Sequence, residues 1–209
     1  MNPTERRRAL TSLLAVPAGM VAVATVAGAA SARDKGTDRL ALLEAKQEIT
    51  EVLYRYARGW DRLDEETLRS CFFADAQHQH GGFKGLSQDF ITKAFPMVAK
   101  VKSTTHAISN VLIEVKGDKA VAECYFAAHH RRMNKDGTDE EDYFLSGRYL
   151  DRFEKRDGVW KIAARRGLND LERVEARADR TFATAAPDSF GKRKPEDPLY
   201  ALLAELNGG

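Results

Sequence analysis

The chain has 209 residues, of which 33 are Lys or Arg and 31 are Asp or Glu, and its formal net charge is +2. Hydrophobic residues make up 43% of it and charged residues 31%. This balance excludes collagen-like, low-complexity and strongly disordered chains. The length is enough for one domain with a substantial core.

The first 32 residues have the composition of an export signal. Arg6, Arg7 and Arg8 precede an uncharged stretch, rich in Ala and Val, that ends in Ala30-Ser31-Ala32. A basic start, an apolar middle and an Ala-x-Ala end are typical of a secretory signal peptide. Arg6-Arg7-Arg8-Ala9-Leu10 also resembles the twin-arginine export motif. We therefore expect cleavage after residue 32 and an exported protein, periplasmic or extracellular, without a stable membrane anchor. The alternative is an uncut transmembrane anchor.

The charge of the remaining chain differs from that of the whole. Residues 1–32 contain three Arg and one Glu, so the remainder carries 30 basic and 30 acidic residues and is formally neutral. Neutrality argues against nucleic acid as a partner.

Cys71 and Cys124 are the only cysteines. Cys71 falls in a predicted helix and Cys124 in a predicted strand, so two buried thiols are expected. A disulfide, which an oxidising compartment permits, is the alternative.

An apolar helical pattern opens the remaining chain. A long helix is predicted over residues 37–63, because apolar residues recur there at steps of three and four. A short helix is predicted over 65–73, and glycines at 81, 82 and 85 mark turns around a short extended piece. Ser87 is predicted to cap a third helix toward Val101, kinked or divided at Pro96. The apolar stripe of the first helix comprises Leu42, Ala45, Ile49, Leu53, Tyr56, Trp60 and Leu63.

Four extended runs follow, over residues 104–116, 119–133, 140–155 and 159–170. Short turns containing Gly and Asp separate them and predict antiparallel hairpins. Helices followed by strands predict an α+β fold, in which helices pack on one face of a curved antiparallel sheet. A brief helix at 172–179 and a final apolar segment at 199–206, docked on a neighbouring surface or subunit, complete the prediction. The domain is expected to span 37–180, with a C-terminal extension over 181–209.

Alternation within the strands predicts which side chains face the core. Even positions of 119–133 and odd positions of 140–155 are apolar, so His130 and Tyr149 are expected to point inward and His129 away. The alternation that includes Trp160 and Ile162 favours Arg166 over Arg165 on the inner face.

Asp61 and His106 are the first candidates for chemistry. Asp61 lies near the C-terminal end of the predicted long helix, where the helix dipole disfavours a carboxylate, so it needs a partner. A histidine such as His106 can act as a general base near neutral pH, and a neighbouring carboxylate would fix its tautomer. The alternatives are a solvated helix end and a structural strand histidine.

His78-Gln79-His80 is a possible metal motif. Two histidines at i and i+2 of a strand face the same way and suit Zn or another transition metal. No third ligand is placed by the sequence, although His129 is conceivable. An exposed polar strand without metal is therefore preferred.

Three segments together identify a family resemblance over about residues 40–171. They are Tyr56-Ala57-Arg58-Gly59-Trp60-Asp61, Thr105-His106, and the run from Tyr149 through Asp157-Gly158-Val159-Trp160-Lys161 to Ile162. With them the chain resembles the SnoaL-like branch of the nuclear transport factor 2-like (cystatin-like cone) superfamily, and within it scytalone dehydratase, bile-acid 7α-dehydratase and hexachlorocyclohexane dehydrochlorinase.

The resemblance implies a cone-shaped α+β barrel in which Asp61 and His106 are catalytic. It further implies substrate-binding roles for Tyr56, His130 and Arg165, and the inward-facing position of Tyr149 adds that residue. Together with the catalytic pair, these four residues form the candidate site. Gly147 and Tyr149 replace polar residues that help to bind scytalone, so that substrate is not expected.

The combined hypothesis is a lyase or isomerase that needs no cofactor and acts on a small hydrophobic cyclic molecule held in an enclosed apolar pocket. A non-catalytic binding protein for a hydrophobic ligand is the alternative. A homo-oligomer, dimer or trimer, is expected by analogy with such families.

Overall fold

The computed structural model describes residues 18–178, 186 and 189–208, with side chains from residue 38 onward. The helices are α1 (Ala18–Asp61), α2 (Glu65–Ser70), α3 (Ser87–Ala99) and α4 (Pro198–Leu206). The strands are β1 (Phe72–His80), β2 (Phe83–Leu86), β3 (Ser103–Lys116), β4 (Lys119–Met133), β5 (Glu140–Arg156) and β6 (Val159–Ala176). Residue contacts divide the chain into two units, Met1–Leu43 and Glu44–Gly209, and every core and site residue below belongs to the second. The motif Arg6-Arg7-Arg8 lies outside the described residues.

Helix α1 contributes one buried face to the core. Four residues of the predicted stripe are almost completely buried, Ile49, Leu53, Tyr56 and Trp60, and Val52 is buried with them. Leu42, also predicted to face the core, is 41% exposed, because it precedes the unit that contains the core. The helix begins at Ala18, well before the predicted start at residue 37. It ends at Asp61, and Leu63 adopts a positive φ of 50° just beyond.

The segment after α1 corrects two predicted elements. Helix α2 stops at Ser70 instead of residue 73, since Phe72 already begins β1 and pairs with Ile162 of β6. Ser87 is the first residue of α3 and not its side-chain cap; Leu86 holds the cap position without a side-chain hydrogen bond. Pro96 lies inside α3 and does not divide it.

The six strands form a mixed sheet in the order β2-β1-β6-β5-β4-β3. All neighbours are antiparallel except β1 and β6, which run parallel, and the sheet is open at β2 and β3. The predicted α+β cone fold is confirmed, but the sheet is neither purely antiparallel nor closed into a barrel. Pairing between β1 and β6 joins residues that are distant in sequence, so turn patterns do not reveal it.

The hairpins of the second half agree with the predicted turns. Asp157 and Gly158, both at positive φ, join β5 to β6, and Gly117 at φ 57° joins β3 to β4. Strand β6 continues to Ala176 through the residues predicted as a helix at 172–179, because β5 is long enough to pair with them. That predicted helix is wrong.

A register shift in β6 decides which arginine faces the core. Arg152 pairs with Ala164 and Phe153 with Ile162, so one residue, Ala163, bulges out of the ladder. A bulge of one residue reverses the inside–outside alternation beyond it. Arg165 is therefore buried and Arg166 exposed, the reverse of what simple alternation favours.

The C-terminal segment is tied to the end of α1. The Lys194 amide donates to the Arg62 carbonyl at 2.8 Å, and Lys194 Nζ lies 2.9 Å from the buried Asp64 carboxylate. Arg193 donates to the carbonyl oxygens of Ala99 and Val101, at 3.1 and 2.6 Å. These contacts brace the helix end that carries Asp61. Helix α4 follows with none of its residues buried.

Cys71 and Cys124 are both buried and free, in agreement with the prediction of two thiols. Cys124 lies in β4, and Cys71 lies just beyond α2, at its C-cap. Burial raises the pKa of each thiol to about 11.

Within the described residues, no helix has both the length and the apolar character needed to cross a membrane.

Candidate active site

Asp61 and His106 meet where the end of α1 approaches the edge strand β3. His106 Nδ1 lies 2.6 Å from Asp61 Oδ1, and the His106 backbone N–H donates to Asp61 Oδ2 at 2.9 Å. Each side chain is 10% exposed. One carboxylate therefore fixes both the backbone and the ring of the same histidine.

This geometry sets the tautomer of His106. An ionised carboxylate only accepts hydrogen bonds, so the ring proton lies on Nδ1 and Nε2 carries the lone pair. Asp61, at the unfavourable negative end of the α1 dipole, gains the two donors that such a position requires. The pair has the arrangement of a base and its orienting carboxylate.

A cleft of about 270 Å³ lies beside the pair. It is open to solvent and is lined by both polar and apolar side chains, whereas the sequence predicts an enclosed apolar pocket. The interior between α1 and the sheet is instead occupied by packed aromatic rings, among them Tyr56, Trp60, Phe72 and Tyr149. The cleft is lined by Tyr54, Ala57, Arg58, Asp61, Arg62, His106 and Ile108.

His130 lies beside His106 on the inner face of the sheet. The two ring centroids are 5.4 Å apart in an edge-on arrangement, and His130 Nδ1 is buried without a hydrogen-bond partner among the described residues. Burial lowers the pKa of His130 to about 4, and a proton on His106 would oppose a second positive charge beside it. His130 is thus neutral near pH 7 and offers one donor and one acceptor nitrogen. His129 points to the opposite face, where Nε2 lies 2.6 Å from Asp142.

Arg165, a predicted site residue, forms a closed ion pair with Asp151. Arg165 Nε and Nη2 donate to the two Asp151 carboxylate oxygens at 2.7 and 2.6 Å, and neither side chain is exposed. Burial alone would lower the pKa of Arg165, but the adjacent Asp151 charge keeps it well above its ordinary value. The guanidinium is therefore a permanent buried cation.

Tyr56 and Tyr149 complete this buried cluster. The guanidinium carbon of Arg165 lies 3.9 Å from the Tyr56 ring centroid and 4.2 Å from that of Tyr149. Burial raises the pKa of both hydroxyls, that of Tyr149 well above its ordinary value. The structure thus brings Tyr56, Tyr149 and Arg165 together, but not into the lining of the cleft beside His106, and a substrate-binding role for them stays a prediction.

Asp151 is a site residue that the sequence reasoning missed. It occupies an odd position of β5, between the inward-facing Tyr149 and Phe153, and is 1% exposed. The two-residue alternation that placed Tyr149 inward also places Asp151 inward. A carboxylate on the core face of a strand requires a buried cation as its partner. The inward position of Asp151 could therefore have indicated that Arg165 is buried.

His78 is buried in the core and His80 is partly buried, so the two do not form the exposed polar strand that the sequence favoured. The His78 ring stacks on Phe90 with centroids 3.9 Å apart, and burial lowers the pKa of His78 to about 3. His80 Nε2 lies 3.1 Å from Asn169 Oδ1. Across the described residues, no three His, Cys, Asp or Glu side chains are grouped so that they could hold a metal ion.

Comparison with known proteins connects this geometry to a family. Residues 41–166 match the model of the SnoaL-like domain. No curated protein sequence is significantly similar to the chain.

Similar solved structures include a hexachlorocyclohexane dehydrochlorinase (LinA, type 2), 21% identical, with a TM-score of 0.60 and coverage of 71% of this chain and 98% of that one. A proposed scytalone dehydratase from Novosphingobium aromaticivorans is 24% identical, with a TM-score of 0.56 and coverage of 69% of this chain and 97% of that one. The LinA-type3 dehydrochlorinase from Novosphingobium barchaimii is 22% identical, with a TM-score of 0.56 and coverage of 68% of this chain and 96% of that one. At these identities the likeness establishes a common fold.

Proposed function

Because the chain belongs to the SnoaL-like domain family, we propose that it is a lyase or isomerase, dehydratase-like, that acts on a small hydrophobic cyclic substrate without a cofactor. His106 is its general base and Asp61 orients that base. The observation that carries the proposal is the pair of hydrogen bonds from His106 to a single Asp61 carboxylate. The likeness in fold to a dehydrochlorinase is consistent with this reaction class.

The chemistry begins with proton removal. His106 Nε2 takes a proton from a carbon next to an activating group, and Asp61 stabilises the imidazolium that forms. In an elimination, the electron pair of the C–H bond becomes the new double bond while the bond to the leaving hydroxyl breaks. The proton on Nε2 then passes to that hydroxyl, which departs as water. In an isomerisation, the same proton returns to a different carbon.

In this proposal His130, whose ring centroid lies 5.4 Å from that of His106, assists at the oxygen. With its pKa near 4 it is neutral at working pH, so it acts as a hydrogen-bond donor and not as a cationic acid. A neutral donor fixed beside the base stabilises negative charge that develops on the leaving hydroxyl or on an enolate oxygen. The buried, unpartnered Nδ1 of His130 supports this assignment.

The cleft beside His106 sets the size of the substrate. Tyr54, Ala57 and Ile108 supply apolar surface, and a volume of about 270 Å³ suits a small cyclic molecule. Arg58 and Arg62 also line the cleft and favour a substrate that carries electronegative groups.

A deuterium experiment tests the general base before the substrate is known. Small cyclic hydroxyketones are incubated with the protein in D₂O, and NMR follows loss of water and exchange of the acidic C–H. For a compound that reacts, His106→Ala and Asp61→Asn should each lower kcat/KM, with loss of the base costing roughly 10²–10⁴-fold. Asp75→Asn is the control, since the Asp75 side chain is 67% exposed and, among the described residues, pairs with Arg156 alone. Wild-type rates in both site variants would refute the assignment.

The second candidate is a non-catalytic binding protein for a hydrophobic ligand. The open cleft and the ring-filled interior favour it, because a reaction that excludes water requires enclosure. Calorimetric binding of a hydrophobic cyclic compound that undergoes neither exchange nor elimination would support this function over the enzyme.

We further propose that the protein is exported and works as a homo-oligomer. Residues 1–32 support export through their basic start and Ala-x-Ala end. Mass spectrometry of the exported fraction should find a mature N-terminus at Arg33, and replacement of Arg6 and Arg7 by Lys should retain precursor in the cytoplasm. Light scattering of the purified protein should give the mass of a dimer or trimer; a monomer would refute the oligomer.

A further inference from the structure

One stripe of α1 faces the cleft beside His106. Its members recur at steps of three and four residues and all line the cleft: Tyr54, Ala57, Arg58 and Asp61. Residues at that spacing lie on one face of an α-helix. Arg58 is therefore one turn before Asp61 and on the face of α1 that borders the space beside the Asp61–His106 pair.

Arg58 makes no hydrogen bond or ion pair with any described residue. Its Nε is buried and has no acceptor. Both carboxylate oxygens of Asp61, on the same stripe, instead accept hydrogen bonds from His106. A buried donor that lacks an acceptor is destabilising, so the position of this group requires an explanation.

The neighbouring arginines of α1 and its C-terminal turn have partners. Arg62, which lines the same cleft, donates to a backbone carbonyl of the C-terminal segment at 2.9 Å and lies 3.8 Å from Asp197. Arg55 pairs with Glu51 at 3.5 Å and is 41% exposed. Of these three arginines, Arg58 alone is left for a ligand in the cleft.

A stabilising effect on the helix is the alternative role of Arg58. It occupies the last turn of α1, where a cation interacts favourably with the helix dipole. That interaction needs only a positive charge, which a solvated lysine supplies as well. It does not require a guanidinium whose Nε is withdrawn from water, so Arg58→Lys separates the two roles.

The chemistry of a guanidinium limits what Arg58 can bind. It only donates hydrogen bonds, so its ligand must bring an acceptor such as oxygen. The base on the opposite wall removes a proton next to an activating group, and a carbonyl is an activating group that brings such an oxygen. Negative charge develops on this oxygen as the proton leaves, and a fixed cation beside it stabilises the transition state more than the ground state.

We propose that Arg58 is a catalytic residue that binds the carbonyl oxygen of a small cyclic ketone and stabilises the enolate formed from it. His106 Nε2 takes the proton from the carbon next to the carbonyl. The electron pair of that C–H bond becomes a carbon–carbon double bond, and the carbonyl π pair moves onto the oxygen held by Arg58. When a hydroxyl leaves from the next carbon, the carbonyl re-forms and the proton on Nε2 departs with the hydroxyl as water. This inference rests on the proposed function and narrows its substrates to ketones.

A coloured mimic of an enolate tests this site without turnover. 4-Nitrophenol is a planar ring whose oxygen ionises near neutral pH, and only its anion is yellow. An apolar site without a cation disfavours the anion, whereas a guanidinium beside the oxygen favours it. At equal pH, absorbance should show a ratio of anion to neutral phenol about tenfold higher, or more, for the bound probe than for the free probe.

Variants of the full protein assign that increase to Arg58. Arg58→Gln should abolish it, and Arg58→Lys should retain only part of it, since an ammonium lacks the planar fork of donors. If Arg58→Gln does not fold by circular dichroism, Arg58→Lys carries the test. Arg55→Gln, an exposed arginine of the same helix, is the matched control and should behave as the wild type does. His106→Ala should keep the increase, because the oxygen is bound by Arg58 and not by the base.

Hydrogen exchange in D₂O then tests the catalytic role. For a cyclic ketone whose acidic C–H the wild type exchanges, Arg58→Gln should lower kcat by about 10²–10³-fold, the usual effect of removing one donor to an oxyanion. The change in KM should be smaller, because the interaction strengthens as the enolate forms.

Several outcomes would overturn the inference. One is a wild-type protein that does not bind 4-nitrophenol, or that binds it without raising its anion ratio. Another is an Arg58→Gln variant with the wild-type anion ratio or the wild-type exchange rate. Loss of exchange in His106→Ala together with normal exchange in Arg58→Gln refutes the role of Arg58 and keeps the proposed general base. Loss in Arg58→Gln with normal exchange in His106→Ala does the reverse.

Discussion

Breaking the Asp151–Arg165 pair should be among the most destabilising single changes in this protein. Asp151→Asn keeps the size and shape of the side chain and removes only its charge. Arg165 then stays buried between Tyr56 and Tyr149 without a counter-ion. Both partners of the native pair are 0% exposed, so neither water nor salt can take over from Asp151.

The magnitude follows from that burial. Removal of one partner from a buried ion pair costs about 3–5 kcal/mol, because the remaining charge is uncompensated. For a folded unit of this size, each kcal/mol corresponds to about 2–4 °C in Tm. Asp151→Asn should therefore lower Tm by about 6–20 °C.

Urea denaturation of wild type and variants, followed by circular dichroism, measures the effect. Glu123→Gln is the matched control, because its pair with Arg148 is about one-third exposed and is worth about 1 kcal/mol or less. The double variant Asp151→Leu Arg165→Met should be more stable than the sum of its two single changes predicts, since it leaves no unpaired charge. Loss of less than about 1 kcal/mol in Asp151→Asn, or strict additivity in the double variant, would refute the reasoning.

Three further predictions concern stability and rate. The pKa of His78 is about 3 in the folded protein against 6.5 ordinarily, so below pH 6.5 the unfolded state binds a proton that the folded state does not. The free energy of unfolding should then fall with decreasing pH down to about pH 3. In urea titrations, His78→Phe should reduce the slope of the free energy of unfolding against pH by about 1.4 kcal/mol per pH unit, whereas the control Gln79→Ala should leave that slope unchanged. Gly147→Ala should cost about 3 kcal/mol or more in the same assay, because its Cβ would lie 1.9 Å from the Leu168 carbonyl oxygen; Gly82→Ala, in open space, is its control. His130→Ala should lower kcat more than it raises KM in steady-state kinetics, whereas a change in KM alone would assign His130 to substrate binding only.

Features written in short stretches of sequence were predictable. The buried stripe of α1 follows from helical spacing. The three successive hairpins of strands β3, β4, β5 and β6 follow from Gly and Asp at the turns between them. Features decided by distant pairing were not. The end of α2 and the start of β1 depend on the parallel partner β6, which no local pattern announces. The same holds for the far end of β6, which β5 holds in the sheet.

The residues of the candidate site also divide into those that local patterns predict and those that distant pairing decides. Asp61 and His106 were each recognisable as candidates, from a carboxylate at a helix end and from the family resemblance, and the structure places them in contact. The choice between Arg165 and Arg166 depends on a bulge at Ala163, which alternation cannot reveal because it assumes an unbroken register.

The hydrogen bonds and the ion pair between the C-terminal segment and the residues near the end of α1 affect the order in which the chain folds during synthesis. Lys194 bonds Arg62 and Asp64 across about 130 positions of sequence, and Arg193 bonds Ala99 and Val101 across more than 90. A ribosome releases these residues after the helices and strands of the core, and contacts over such separations form slowly because a long loop must close first. The surroundings of Asp61 are thus completed only after residues 193 and 194 have been synthesised. A nascent or truncated chain can form the α1–sheet core and still lack a finished site.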